Sequence, residues 1–354
     1  MKNIAVVIPS LDPDSRLPEY VRTLQAEGIQ TVIVINDGSD ASCAPVYAEL
    51  EKLPGVHLLR HEVNQGKGRA LKDAFSWYLQ QHLEDSCIGV VTADSDGQHT
   101  AADVLRTAEV LRQHPDALVL GERAFDRDVP LRSRFGNTCT AVLFRLLYHA
   151  KVRDTQTGLR GIPNRLLPDM CGIEGDRYEY EMMMLVHAAR NKIPMESLTI
   201  QTIYENNNAG SHFHTFRDSW RIYRLLLGSF IRFGMSSLAS ALCDLGLFQI
   251  FVWMLRPSLA SYISVSTILA RIGSSLLNFG LNRKLVFHSR ENMGKTAVRY
   301  YLLAAVQMLA SAGLVTALHG RLGWAESGIK IVVDSVLFLI SYRIQKRFVF
   351  GSGK

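Results

Sequence analysis

The 354 residues suffice for about two domains, and their charge is unevenly distributed. Residues 226–354 contain four acidic residues against fourteen Lys and Arg, a net charge of +10, whereas residues 1–225 carry −4; because the basic excess lies in the hydrophobic part, we expect membrane topology and no nucleic-acid binding. Five scattered cysteines without a C-x-x-C pair exclude a disulfide framework and indicate reduced thiols in a cytosol-facing protein.

The N-terminal part alternates between apolar, β-rich runs and segments with helical spacing. The runs are Ile4–Ile8, Thr31–Ile35, Val56–Leu59, Cys87–Val91 and Ala117–Leu120, and the helical segments lie around 17–27, 42–52, 67–83 and 101–113. This alternation predicts an α/β fold with parallel strands and crossover helices. Because the N-terminus runs directly into a strand, we expect no cleaved signal peptide.

Polar residues follow four of the predicted strands. They are Pro9-Ser10, Asn36-Asp37-Gly38-Ser39, Asn64-Gln65-Gly66-Lys67-Gly68 and Asp94-Ser95-Asp96. Ligands of open α/β sheets bind outside the carboxyl ends of the strands, so we expect these residues to face one crevice. No G-x-G-x-x-G follows the first strand, which excludes a dinucleotide-binding Rossmann domain.

The stretch V-V-T-A-D-S-D-G-Q-H, residues 90–99, is the strongest candidate for a catalytic centre. Residues two apart along a strand share one face, so Asp94, Asp96 and Gln98 could converge on one cation. Carboxylate and amide oxygens, completed by a substrate diphosphate, suit Mg²⁺ or Mn²⁺. An Asp-x-Asp pair alone also occurs in acidic turns, so this prediction depends on the rest of the chain.

Two other strand ends offer contacts for a nucleotide. Asp37 suits a turn in which a carboxylate meets a base or a ribose, and an Asx-turn bonded to its own backbone is the alternative. The loop at residues 64–68 precedes a predicted helix, so its amides and Lys67 are placed to meet a phosphate or a base.

Four motifs occur in order, V-I-P-S-L-D-P-D, N-D-G-S-D, N-Q-G-K-G-R-A-L and A-D-S-D-G-Q-H, followed by L-G-E-R, R-S-R-F-G-N and D-T-Q-T-G-L-R. Through about residue 215 this set resembles the GT-A nucleotide-diphospho-sugar domain of glycosyltransferase family 2, specifically the polyprenyl-phosphate sugar transferases related to dolichyl-phosphate mannose synthase. One departure is Asp12-Pro13, where the family often has I-P-x-x-N-E, so the contact of that glutamate is not carried over.

The resemblance implies roles for individual residues. The metal would be held by Asp94, Asp96 and Gln98, and Asp37 would contact the nucleoside. The nucleotide site would also include Pro9, Asn64 and Lys67. The lipid phosphate would face Arg132 and Arg134, and Asp154 matches the position proposed as a base.

The chemistry of sugar transfer fits these residue types. The leaving diphosphate must be neutralised, and a divalent metal does this as a Lewis acid. A lipid monophosphate acceptor is already anionic, so it needs positioning by arginines more than deprotonation, and Asp154 could equally orient the acceptor or balance charge at C1 of the sugar. A single in-line displacement would invert the anomeric centre.

Glu179 and Glu181 would lie under the sugar or at a helix start. Solvated surface positions are the alternative for three arginines, Arg132, Arg134 and Arg160.

Residues 213–229 combine aromatic and basic side chains at helical spacing. The two sets are Phe216, Trp220, Tyr223, Leu226 and Leu227, with Arg217, Arg221 and Arg224 between them. This pattern predicts an amphipathic helix in the headgroup region of a membrane, with packing on the soluble domain as the alternative.

Four apolar segments follow, at about 230–255, 259–281, 300–320 and 325–342, each near the roughly 20 residues that a bilayer needs. The connection 282–299 and the tail are rich in Lys and Arg, so by the positive-inside rule the middle loop, both termini and the catalytic domain are cytoplasmic in a multi-pass plasma-membrane protein. The predicted domains are a catalytic domain at 1–212, the amphipathic helix at 213–229 and a transmembrane domain at 230–354.

The transmembrane segments repeat internally. L-N-F-G-L-N-R-K-L-V-F at 277–287 aligns with I-S-Y-R-I-Q-K-R-F-V-F at 340–350, and residues 231–233 align with residues 298–300. This predicts a duplicated hairpin of two helices. The module resembles the GtrA-like family, which is linked to movement of prenyl-phosphate sugars across membranes. We expect Arg271 to pair with Asp244 or Asp334, because ionisable groups within spans are costly and usually paired.

The predicted activity is therefore a metal-dependent, inverting transfer of a sugar from a nucleotide sugar to polyprenyl (undecaprenyl) phosphate, for modification of cell-envelope glycans. A UDP-sugar is favoured over GDP-mannose, because the G-Q-H form of the metal motif resembles the glucose and N-acetylglucosamine branches. The alternative is a flippase whose soluble domain only recognises the lipid-linked sugar. A processive synthase is disfavoured by the lack of Q-x-x-R-W. A homo-oligomer is compatible with the sequence, since related membrane transferases can be tetramers.

Overall fold

The computed structural model describes residues 3–123, 131–148, 150–201, 215–256, 260–322 and 325–351. The chain divides into two units, Met1–Leu225 and Leu226–Lys354, which are described separately.

The N-terminal unit is built on a seven-stranded sheet. Its strands are β1 Asn3–Ser10, β2 Thr31–Asp37, β3 Val56–His61, β4 Cys87–Thr92, β5 Leu118–Arg123, β6 Arg160–Pro163 and β7 Met195–Ile200. Its helices are α1 Arg16–Ala26, α2 Ala44–Leu50, α3 Lys67–Gln80, α4 Ala101–Gln113, α5 Leu131–Tyr148, α6 Leu167–Cys171 and α7 Glu179–Arg190. The five predicted strands and the four predicted helices are all present.

The sheet has the strand order β3-β2-β1-β4-β6-β5-β7. β1 pairs in parallel with β2 and β4, β2 with β3, and β5 with β7, whereas β6 runs antiparallel between β4 and β5. The five predicted strands therefore all run in the same direction, and β6, which was not predicted from the sequence, runs against them. That strand spans only four residues, R-G-I-P, and a strand so short carries no readable periodicity.

The central strands are apolar because helices cover both faces of the sheet. Residues 4–8 of β1 and 32–35 of β2 are fully buried or nearly so, as is usual for parallel strands inside an α/β domain. On α1 the buried side chains are Leu17, Tyr20, Val21 and Leu24, which recur at helical spacing and face the sheet. Burial on both faces fixes the register of the strands, so their carboxyl ends align along one side of the unit.

The C-terminal helices are long and apolar. α8 is Thr215–Leu255, α9 Tyr262–Leu281, α10 Met293–Leu322 and α11 Glu326–Ile344. Among the described residues, two helical stretches are long and apolar enough to cross a membrane, Leu227–Leu255 and Met293–Arg321. An amphipathic helix was expected at 213–229. Residues 213–214 lie outside the described residues, and residues 215–229 form the start of α8. The side chains of five of the predicted residues also lie outside the described part: Phe216, Arg217, Trp220, Arg221 and Leu226.

The two hairpins of the C-terminal unit are related by an approximate two-fold symmetry. The second helix of each ends in a π-helical turn, Asn282–Val286 and Gln345–Val349. Asn282 and Gln345 occupy equivalent repeat positions, and the Asn282 amide donates to Gln345 Oε1 at 3.2 Å. Phe287 and Phe350, also equivalent, stack with ring centroids 5.2 Å apart. The duplication predicted from the sequence is confirmed by these reciprocal contacts.

Asp244, Arg271 and Asp334 each have a polar partner within the C-terminal unit. Arg271 Nη2 lies 3.5 Å from Asp244 Oδ2, which confirms the expected partner. Ser274 Oγ donates to Asp244 Oδ1 at 2.7 Å. In the second hairpin Ser311 Oγ donates to Asp334 Oδ1 at 2.6 Å, and Lys330 lies 2.9 Å from the same carboxylate.

Candidate functional site

The acidic pair lies in the turn that follows β4. Gly97 adopts a φ of +74°, a left-handed conformation that favours glycine, and the Gln98 amide donates to Asp96 Oδ1 at 3.1 Å. In the described part of the chain, no three His, Cys, Asp or Glu side chains are gathered closely enough to hold a metal ion. The convergence of Gln98 on the pair stays a prediction.

Both oxygens of Asp94 contact nitrogen atoms of the protein. Lys67 Nζ lies 2.6 Å from Asp94 Oδ1 and 2.8 Å from Glu181 Oε1, so one ammonium bridges two carboxylates. His99 Nε2 lies 3.2 Å from Asp94 Oδ2. Gly158 leaves room for the same carboxylate, because a Cβ at that position would clash with Asp94 Oδ2. Asp94 is therefore contacted by Lys67 and His99 and packed against Gly158.

The pKa values of Asp94 and Asp96 are shifted in opposite directions. Burial opposes the charge of Asp94, but Lys67 and His99 more than offset it and hold the pKa of Asp94 well below its usual range. Burial and the charge of Asp94 raise the pKa of Asp96. Asp96 thus bears a carboxylate whose ionised form would be stabilised by an added cation.

Several buried polar atoms at this site lack partners among the described residues. They are the Tyr20 hydroxyl, His99 Nδ1 and Arg160 Nη2. Burial raises the pKa of Tyr20, and the charges of Asp94 and Asp96 raise it further, so its hydroxyl is in the electric field of the acidic pair. Buried polar groups without partners are rare in folded proteins and mark places where a ligand or water would bind. Hard oxygen donors beside such groups fit a divalent cation and a polar substrate.

Asp37, at the end of β2, organises the loop before α3. It accepts hydrogen bonds from the backbone amides of Gln65, at 2.9 Å, and Gly66, at 2.8 Å. His61 Nδ1 lies 2.7 Å from the same carboxylate, and His61 Nε2 lies 3.1 Å from Asp73. Two amides that we expected to meet a phosphate therefore bind Asp37. A direct contact between Asp37 and a nucleoside stays a prediction.

The ends of β1 and β2 are joined by hydroxyl groups. The Tyr47 hydroxyl lies 3.2 Å from Ser10 Oγ and 2.7 Å from Ser39 Oγ. Asp12, where the family often has a glutamate nearby, accepts the Asp40 amide at 2.7 Å. Pro9 is buried at the end of β1. Arg177 Nη1 lies 3.5 Å from Asn64 Oδ1. The predicted nucleotide residues thus gather at the carboxyl ends of β1 to β4.

Asp154 is fully buried and forms an ion pair with Arg123. Arg123 Nε donates to Asp154 Oδ2 at 2.6 Å, and Arg123 Nη2 donates to Asp154 Oδ1 at 3.0 Å. The Gln156 amide donates to Oδ1 at 3.1 Å. Sequence reasoning did not select Arg123, although it is the last residue of the motif L-G-E-R. A carboxylate held on both oxygens by an arginine is suited to positioning that arginine.

Other predicted residues have different outcomes. Arg132 and Arg134 lie in the first turn of α5, but their side chains lie outside the described residues. Arg160 is buried, with 1% of its surface exposed, so the solvated alternative was wrong for this residue. Its Nη1 donates to the Glu181 carbonyl at 2.6 Å, and Glu181 lies in the first turn of α7. A helix start, one of the two readings of Glu179 and Glu181, is therefore observed.

The mixed sheet, with an acidic pair after β4 and helices on both faces, is a GT-A-type α/β fold followed by a helical membrane domain. Residues 5–162 match the family Glycosyl transferase family 2, and residues 232–350 match the family GtrA/DPMS, transmembrane domain. The chain is thus a glycosyltransferase whose N-terminal domain belongs to glycosyl transferase family 2 and whose C-terminal domain is a GtrA/DPMS transmembrane domain.

Several proteins resemble parts of the chain. An uncharacterised protein of Methanocaldococcus jannaschii is 28% identical over 206 residues, which cover 57% of this chain and 82% of the relative. The UDP-N-acetylglucosamine–dolichyl-phosphate N-acetylglucosaminyltransferase of Methanococcus voltae is 25% identical over 244 residues, covering 64% of this chain and 96% of the relative. The undecaprenyl-phosphate 4-deoxy-4-formamido-L-arabinose transferase of Sodalis glossinidius is 27% identical over 122 residues, which cover 32% of this chain and 35% of the relative.

Among solved structures, the glucosyl-3-phosphoglycerate synthase of Mycobacterium tuberculosis, crystallised with Mn²⁺, UDP and glucosyl-3-phosphoglycerate, has a TM-score of 0.47 at 17% identity. The match covers 64% of this chain and 79% of that one.

Proposed function

We propose that this glycosyltransferase moves a sugar from a nucleotide sugar to polyprenyl phosphate at the cytosolic face of the plasma membrane, with inversion at the anomeric carbon and a requirement for Mg²⁺ or Mn²⁺. The observation that carries the proposal is the pair Asp94 and Asp96 after β4, in a glycosyltransferase domain joined to a transmembrane domain. The proposed organisation keeps the catalytic domain at 1–212, the juxtamembrane helix at 213–229 and the transmembrane domain at 230–354.

A divalent cation held by Asp94, Asp96 and Gln98 would neutralise the charge that develops on the leaving diphosphate. The chain itself orients these groups. Gly158 and His99 fix the Asp94 carboxylate, and the raised pKa of Asp96 means that this carboxylate gains most from an added cation. The Asp37 carboxylate binds two backbone amides of the loop 64–68 and so holds the shape of that loop. We therefore assign the nucleoside to this loop together with Pro9 and Lys67.

The acceptor assignment rests on chemistry and on the relatives. Two relatives are named for transfer to dolichyl phosphate and to undecaprenyl phosphate. A phosphate monoester is already a nucleophile at neutral pH. Arg132 and Arg134 are proposed to bind that phosphate, because arginine binds phosphate in a bidentate manner. Asp154 is proposed to act by holding Arg123, which its two short contacts support.

A UDP-sugar is the proposed donor. The relative from Methanococcus voltae is named for UDP-N-acetylglucosamine, and GDP-mannose is the alternative to be tested beside it.

The decisive experiment incubates membranes that contain the full chain with labelled UDP- and GDP-sugars and undecaprenyl phosphate. We expect organic-extractable label from one donor, lost on addition of EDTA, restored by Mn²⁺ and absent with Asp96→Asn. The matched control is Glu109→Gln, an exposed carboxylate remote from the acidic pair in sequence, which should keep full transfer. No extractable label from any donor would refute the proposal.

A second function, movement of the lipid-linked sugar across the membrane, is favoured by one observation. The C-terminal unit contains a cavity of about 740 Å³ lined by aromatic and polar side chains, including Asn278, Gln307, Ser311, Lys330 and Asp334. A cavity of this size suits a small ligand, and polar groups within membrane segments commonly line transport paths. Vesicles that contain a fluorescent polyprenyl-phosphate sugar should exchange it between leaflets with the wild-type chain and lose this exchange with Asp334→Leu. Equal exchange with both chains would refute this function.

A further inference from the structure

Lys67 occupies an unusual position for a residue expected to bind a nucleotide. Its ammonium lies between Asp94 Oδ1, at 2.6 Å, and Glu181 Oε1, at 2.8 Å. The Lys67 side chain is 17% exposed and the Glu181 side chain 8%. The strongest electrostatic contact of Lys67 is therefore with a proposed metal ligand.

A divalent cation on Asp94 would lie close to the Lys67 ammonium. The ammonium, 2.6 Å from Oδ1, occupies one lone pair of that oxygen, and the two positive charges would repel each other. The second oxygen, Oδ2, is already beside His99 Nε2 at 3.2 Å. Coordination of a cation by Asp94 is therefore favoured electrostatically when the charged nitrogen beside it moves away.

Lys67 is the group that can withdraw more easily. Lysine is a compact charge on a flexible four-carbon stem, and Glu181 offers the ammonium a second carboxylate within reach. His99, by contrast, is 4% exposed and tightly enclosed. Lys67 is the first residue of α3, so the proposed movement concerns its side chain alone.

We infer that Lys67 and a divalent cation compete for Asp94, and that Glu181 retains the Lys67 ammonium when the cation takes its place. This inference rests on the proposed metal dependence. It gives Lys67 a positioning role: its ammonium balances the charge of the Asp94 and Glu181 carboxylates, and it stays on Glu181 when the cation binds Asp94.

The first test measures Mn²⁺ affinity of the full chain in detergent without nucleotide, by calorimetry. We expect Lys67→Met to bind Mn²⁺ at least tenfold more tightly than the wild type. The matched control is Lys72→Met on the same helix, since the Lys72 side chain is 12% exposed and its ammonium lies 2.6 Å from Asp176 rather than from the acidic pair; its Mn²⁺ affinity should not change. Unchanged or weaker affinity in Lys67→Met would overturn the inference.

The second test separates displacement from a general effect of charge and uses the wild-type chain, so it does not depend on the folding of a variant. Acetic anhydride modifies lysines, and mass spectrometry reports the rate at each one. Addition of Mn²⁺ should raise the rate at Lys67 at least threefold and leave the rate at Lys72 unchanged. An unchanged rate at Lys67, despite Mn²⁺ binding that Asp96→Asn abolishes, would overturn the inference alone. No Mn²⁺ binding by the wild type would overturn both the inference and the proposed metal dependence.

Discussion

The buried ion pair of Asp154 and Arg123 gives a sharp prediction, because stability distinguishes a positioning role from a role as general base. The Asp154 side chain is 0% exposed and that of Arg123 13%. Asp154→Asn keeps the shape of the side chain but leaves the guanidinium without its counter-charge. Breaking a buried pair in this way costs about 3–5 kcal/mol.

A loss of about 3 kcal/mol lowers the melting temperature of a domain of 150–250 residues by roughly 6–12 °C. Thermal unfolding of the full chain in detergent measures this shift. Replacement of both partners, Arg123→Met with Asp154→Leu, should recover most of the loss, because no unpaired charge remains. The control Glu109→Gln breaks an exposed pair with Arg112 and should cost under about 1 kcal/mol. If Asp154→Asn melts like the wild type but loses turnover about a thousandfold, Asp154 is a base and the positioning role is wrong.

Three further predictions concern other features. Gly158→Ala places a Cβ against the Asp94 carboxylate and should lower transfer activity at least tenfold in a radiolabel assay, whereas Gly136→Ala, with open space around its Cβ, should not. Asn282→Leu removes the amide that bonds Ser236 Oγ and Gln345 Oε1 and should cost about 1–3 kcal/mol in thermal unfolding, while equal stability would contradict a structural role of the Asn282–Gln345 contact. Because the pKa of Asp96 is raised in the fold, the folded chain holds the Asp96 proton to a higher pH than the unfolded chain does, so the contribution of Asp96 to stability in EDTA should fall as the pH rises above about 4. Asp96→Asn should flatten this slope in a pH series of melting temperatures, and an identical slope would show that Asp96 titrates normally.

The sequence predicted the parts of the fold that periodicity encodes. Five strands and four helices of the N-terminal unit lie where apolar runs and helical spacing placed them. Strands β6 and β7 were missed, and the antiparallel direction of β6 depends on a connection with no local signal. The duplicated hairpin was visible because identical and similar residues recur at fixed spacing.

The sequence predicted which residues belong to the site, but it did not predict which of them contact each other. Asp37 was selected for the ligand, yet its carboxylate binds amides and a histidine 24 to 29 residues further along the chain. Lys67 and Asp94, 27 residues apart, were selected separately, and nothing in either motif indicates that they form an ion pair. Such pairs arise only when the sheet brings the carboxyl ends of its strands together, so tertiary structure decides them.

The two-fold relation within the C-terminal unit has a consequence for how this unit can change over evolution. Two identical hairpins on separate chains would carry every substitution twice, once on each side of the axis. A covalent duplication removes that constraint, and here one hairpin joins Asp244 to Arg271 while the other joins Asp334 to Ser311 and Lys330. Asn282 and Gln345, at equivalent positions, contact each other, whereas the pairs away from this contact differ between the halves. In the fused chain, one hairpin therefore carries ionic contacts that the other hairpin does not have.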